Sequence, residues 1–216
     1  MSSTTLRLIA VAASVLLVVS ATTGCSAPDD EPTRASRTTP SDADVGFSRD
    51  MSAHHAQAVD MAERIRTRTA DPRLRNLATD IVLTQQAQIG RMQGWLELWG
   101  EPFTSTDPSM SWTDSGTTTG MDHDTDAGVM AAMPGMAGPA DLAAIDSLDP
   151  ADAEVRFLEL MVEHHRGGVE MAEMVLSTDP TEAVANLAES IVVGQNAEIE
   201  LLETMLADRT GPENGP

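Results

Sequence analysis

The chain has no lysine, no tyrosine and a single cysteine in 216 residues, and its aromatics are three Phe and three Trp. Each shortage excludes something. With 13 Arg against 34 acidic residues and a formal net charge of −21, the surface cannot displace the counterions of a nucleic acid. Nor can it dock on anionic lipid through a basic patch. So few aromatics do not furnish the core of an aromatic-rich sandwich or barrel. One Cys makes neither an intramolecular disulfide nor a Cys-based zinc site. A membrane-spanning helix needs roughly 20 apolar residues, and the uncharged run at 8–20 is shorter than that. No phosphate loop, dinucleotide fingerprint or nucleophile triad is present, so the chain reads as a non-enzyme. What is abundant is methionine, 13 residues, accompanied by five His.

The run 8–20 follows Arg7 and ends at Thr22-Thr23-Gly24-Cys25. That resembles a bacterial lipoprotein signal, in which small residues precede a Cys that becomes the lipid-modified N-terminus. Thr22 departs from the aliphatic residue usual at its position. This reading makes 1–24 a signal peptide and Cys25 the lipidation site. Residues 25–41, rich in Ser, Thr, Pro and Asp, become a flexible tether. The protein would then be extracytoplasmic and meet the membrane only through lipid. The competing readings are an ordinary signal with an incidental Cys, or an uncleaved anchor.

Beyond the tether the sequence repeats at an offset of 110. Phe47, Met51, His54-His55, Val59, Met61-Ala62 and Glu63 recur as Phe157, Met161, His164-His165, Val169, Met171-Ala172 and Glu173. Asn76-Leu77-Ala78, Ile81-Val82, Gln85 and Ile89 recur as Asn186-Leu187-Ala188, Ile191-Val192, Gln195 and Ile199. Apolar residues three and four apart predict helices near 42–68, 73–99, 150–177 and 181–208. Asp71-Pro72 and Asp179-Pro180 interrupt each pair. Two helical hairpins with apolar stripes bury them most simply as a four-helix bundle. The folded region is thus expected at 42–208, with a first hairpin at 42–99, a mobile Met-rich linker at 100–140, a second hairpin at 141–208 and a disordered tail at 209–216.

Helical geometry puts Asp44, Met51, His54, His55, Ala58 and Met61 in one inward stripe, and Glu154, Met161, His164, His165, Gly168 and Met171 in its copy. A lone core Met is more often a gap-filler than a ligand. Four His in two identical pairs are harder to explain by packing, because burying imidazoles costs free energy unless each finds partners. Metal binding accounts for the pattern, with Met51, His54, His55, Met61, Met161, His164, His165 and Met171 as the candidate ligands. Adjacent His point about 100° apart, so one of each pair is expected to ligate. Asp44 and Glu154 are candidate ligands or outer-shell groups. Gln85 and Gln195, on the apolar stripes, are candidates for bonding a histidine's second nitrogen or for capping some other buried polar group. Thioethers are soft and select Cu(I), while imidazole suits copper and zinc alike; copper, as Cu(I), is the expected metal. The Glu-x-x-His signature of di-iron bundles is absent. In the linker, Met121, His123, Met133 and Met136 either collect metal or are incidental.

This arrangement resembles the family called domain of unknown function 305, whose hallmark is an acid, Phe, Met, His-His and Met-Ala at fixed spacing, often twice. Here it reads Asp44, Phe47, Met51, His54-His55 and Met61-Ala62, then Glu154 through Ala172. The resemblance spans about 42–208. It implies a ferritin-like four-helix bundle, extracytoplasmic location, and a short helix near 140–148 after Gly135-Met136. Some members are implicated in copper binding and resistance. Two departures are Glu154, where Asp is more usual, and Ala53, where a large aliphatic is. Three functions compete: copper sequestration or handling, a non-catalytic interaction module whose His and Met only pack, and, on fold analogy alone, a ferritin-like store or oxidase. The sequence selects neither a monomer nor a homo-oligomer.

Overall fold

The computed structural model of the chain describes residues 39–113 and 133–211. Among them are five helices and no strand: α1 (Asp42–Arg68), α2 (Pro72–Trp99), α3 (Pro139–Ser147), α4 (Pro150–Leu176) and α5 (Glu182–Thr210). The molecule is all-α, a four-helix bundle made of the duplicated hairpins α1–α2 and α4–α5, with α3 packed on α4 and α1. None of these helices is long and apolar enough to cross a membrane.

The helices start where local chemistry tells them to. Ser41 caps α1 in a reciprocal box with Asp44, each side chain taking the other's backbone N–H. The Asp71 carboxylate accepts from the Arg73 N–H at the head of α2. Pro72, Pro139 and Pro150 sit where a missing N–H costs nothing. Gly100 ends α2 in the left-handed conformation, φ 76°. Ser41 therefore belongs to the bundle rather than to a tether.

The two halves clasp each other through their turns. Asp44 Oδ1 accepts from the Thr181 N–H and hydroxyl at the α4–α5 turn. Its copy Glu154 accepts from Thr69 at the α1–α2 turn and from Arg209, which also bonds Asp71. Arg209 and Glu154 are each 13% exposed. The expected disordered tail at 209–216 is corrected at its start: α5 runs to Thr210, and Arg209 locks its end to the opposite hairpin, while 212–216 lie outside the described residues.

Two buried clusters make the core. One holds Met61, Ile65, Leu77, Ile81, Phe157, Met161, Leu202 and Met205. The other holds Phe47, Met51, Met92, Met133, Met171, Val175, Leu187 and Ile191. Repeat partners fall in opposite clusters (Phe47 against Phe157, Met51 against Met161), as a near two-fold relation of antiparallel α1 and α4 requires.

The linker is ordered at both ends. Trp112 lies on Gly46, where a Cβ would come within 2.4 Å of the indole; its Nε1–H and the Met110 N–H both donate to Asp50. Residues 133–138 form a strap across α1 and α4. Gly135 takes φ 75° against the α4 backbone, and a Cβ on Gly167 would lie 2.1 Å from the Pro134 carbonyl oxygen. The Gln57 amide, the repeat partner of Gly167, holds the strap by bonding both the N–H and the carbonyl of Ala137. A linker mobile over its whole length is therefore not what the chain builds.

Candidate metal centre

Each half presents its His pair from the middle of the first helix of its hairpin, and all four imidazoles are fully buried. They form one cluster. His54 and His164 pack across the α1–α4 contact with ring centroids 3.8 Å apart and planes tilted by 34°. His55 lies 6.4 Å from His54, and His165 6.4 Å from His164. At 3.8 Å the two inner ring faces touch, so no ion fits between them.

Three Nε2 atoms are committed. His54 Nε2–H donates to the Pro134 carbonyl at 3.0 Å, His55 Nε2–H to Gln88 Oε1 at 2.7 Å, and His165 Nε2–H to Glu198 Oε2 at 2.6 Å. In a neutral ring this arrangement leaves the lone pair on Nδ1, as in His54 and His55. All four Nδ1 atoms, and His164 Nε2 as well, are buried without a hydrogen-bond partner among the described residues. Burial pushes His54 down to about 4, opposed by the Pro134 carbonyl. Burial, and then His54, push His55 down to about 3. Burial and the neighbouring His hold His164 well below the usual imidazole range. Neutral imidazoles with an N–H anchored on a carbonyl or carboxylate and a bare second nitrogen are the form in which His binds metal.

The thioethers flank this layer in two groups. Met51 and Met171 share a cluster with Met92 and Met133, and Met136 and Met110 pack against it. Met61 and Met161 share the other with Met205. Met51 and Met161 thus do not face one another, because α1 and α4 run antiparallel about the His54–His164 stack. Among the described residues no group of three or more His, Cys, Asp or Glu converges to hold an ion. Any ion held by these imidazoles as they lie would draw on thioethers for further ligands.

Other expected residues sit elsewhere. Asp44 spends Oδ1 on the clasp to Thr181 and Oδ2 on the Ser41 cap, and Glu154 spends both oxygens on Thr69 and Arg209, away from the histidines' hydrogen bonds. Gln85 and Gln195 are buried but bond no described histidine, and both atoms of each amide are unpartnered among the described residues. Gln195 lies instead on Gly168, where a Cβ would meet its Oε1 at 2.3 Å; the small residue makes room for an amide, not an ion. Gln88 and Glu198, one helical turn further on, take the role expected of Gln85 and Gln195. They too are repeat partners, but their unlike residue types hid them. Pro134 had no signal of its own. Cys25, Met121 and His123 lie outside the described residues.

A duplicated all-helical bundle with a buried histidine layer flanked by methionine defines the class. The chain belongs to the family described as Domain of unknown function (DUF305), whose profile matches residues 44–206. A DUF305 protein of Streptomyces coelicolor, described as secreted, is 42% identical, with a TM-score of 0.68, over 81% of this chain and 98% of that one. CopM, whose structures are described in Cu(I)-, Cu(II)- and Ag-bound forms, shares the fold. Its Cu(I) form has a TM-score of 0.58 at 22% identity, over 78% of this chain and 98% of CopM. A curated relative, an uncharacterized protein of Acanthamoeba polyphaga mimivirus, is 41% identical over 54 residues, 25% of this chain and 36% of that protein.

Proposed function

We propose that this protein binds copper outside the cytoplasm and sequesters it or hands it on, with copper as cargo and no catalysis. The observation that carries the reading is the set of four buried Nδ1 atoms that meet no partner among the described residues. Leaving a polar atom buried and unpaired costs about 1–3 kcal/mol, and an ion offers these lone pairs a use. Buried thioethers on both sides supply the soft ligands that favour Cu(I) over Zn(II). His54, His55, His164 and His165, with Met51 and Met171 on one side and Met61 and Met161 on the other, would hold it. The fold shared with copper-bound CopM supports the reading. Chelator competition with Cu(I) should show binding that is lost when all four His are replaced and kept when residues 114–132 are deleted. Equal affinity for the wild type and the variant without the four His would refute the bundle as the site.

One observation favours the packing reading: no three classical ligands converge among the described residues. That reading predicts no Cu(I) binding at all. The extracytoplasmic setting is supported by the secreted relative and by the signal-like segment ending at Cys25. Anchoring by lipid on Cys25 is tested by Cys25→Ala, which should release the protein from the membrane fraction; unchanged retention at unchanged mass would exclude it.

A further inference from the structure

We infer that the two halves of the duplication build two unequal copper sites, and that Glu198, standing where the first half has Gln88, makes the site at His165 the tighter. This rests on the copper reading above. The two halves place the same ring nitrogen on the same position of the second helix, at 2.7 Å for His55 and Gln88 and at 2.6 Å for His165 and Glu198. Both leave a buried Nδ1 with no partner among the described residues. What differs is the acceptor, a neutral amide in one half and a carboxylate in the other.

A carboxylate accepting an imidazole N–H pushes electron density to the far nitrogen and makes it a stronger ligand. Its negative charge also offsets part of the ion's positive charge, and does so more for a divalent ion than for a monovalent one. Glu198 thereby acts through His165 as a positioning residue.

The geometry also disfavours a carboxylate in both halves. Gln88 and Glu198 line the same cavity of about 100 Å³ between α2 and α5, together with Thr84, Gln85, Ser190 and Gln195, and no basic residue among those described lines it. Two carboxylates lining one small cavity would repel, which disfavours ionising both. The duplication therefore resolves into one carboxylate-backed site and one amide-backed site.

The test is a pair of titrations of the full-length chain, Cu(I) under anaerobic chelator competition and Cu(II) alongside. The proteins are the wild type, Glu198→Gln, and the exchange Gln88→Glu with Glu198→Gln. The wild type should take copper in two unequal steps, and His165→Ala should remove the tighter. Glu198→Gln keeps the hydrogen-bond acceptor and the volume, so the fold should be unchanged by circular dichroism. It should weaken the tighter step about 10–100-fold, more for Cu(II) than for Cu(I). In the exchanged protein the tighter step should return and should now be removed by His55→Ala. Equal steps in the wild type, or unequal steps that ignore both variants, would overturn this proposal while leaving the copper reading in place. Absence of copper binding from the wild type would overturn both.

Discussion

Neutral buried imidazoles tie the stability of this protein to pH. His54, His55 and His164 resist protonation in the folded state because burial removes the water that would solvate the charge. The unfolded chain binds those protons as pH falls through about 6.5. The folded chain does not until about 4 for His54 and about 3 for His55. Their stabilising effect is therefore complete above about pH 6.5 and is lost as pH falls toward 4, by about 1.4 kcal/mol per pH unit for each histidine. Urea unfolding at pH 7 and pH 5 should show a markedly lower midpoint at pH 5, and His55→Asn should reduce that dependence. A midpoint that stays constant over this range would show that the imidazoles are solvated. At this scale the sequence was half legible. The four His and four Met stood out by repetition, but their anchors did not. Gln85 and Gln195 attracted notice because they are identical, whereas Gln88 and Glu198 do the bonding and differ. The carbonyl of Pro134 is a backbone group that no side-chain pattern announces.

At the scale of elements, the helices were nearly all legible, since their apolar periodicity, caps and prolines agree with one another. The linker was not. Its Gly, Pro and Ser content reads as mobility, yet residues 133–138 are held by Gln57, by the close approach at Gly167 and by burial of Met133. Gln57 and Gly167 occupy equivalent repeat positions, so the strap exploits a place where the copies have diverged. Gly167→Ala should expel it, because the new methyl would collide with backbone rather than with a side chain that can turn away. We expect a loss of about 1–3 kcal/mol in stability, faster proteolysis near residue 134, and an exposed His54 Nε2. A variant that keeps wild-type stability and protease resistance would show that the strap can shift without cost.

At the scale of the whole molecule, the duplication organises everything else. Antiparallel copies put the His pairs at the centre and divide the Met residues between two clusters. They also make each hairpin's acid the clasp for the other's turn. The repeat was plain in the sequence, and with it the bundle. The sense in which the copies face each other was not, which is why Met51 and Met161 part company. The same division shapes the copper proposal, since it places soft sulfur on both sides of a nitrogen-rich layer. X-ray absorption at the copper edge of the full-length chain loaded with Cu(I) tests this most directly. Both nitrogen and sulfur neighbours are expected around copper, with the nitrogen contribution lost when His54, His55, His164 and His165 are replaced. A copper ion surrounded by sulfur alone, or a spectrum unchanged by removing those four histidines, would contradict it.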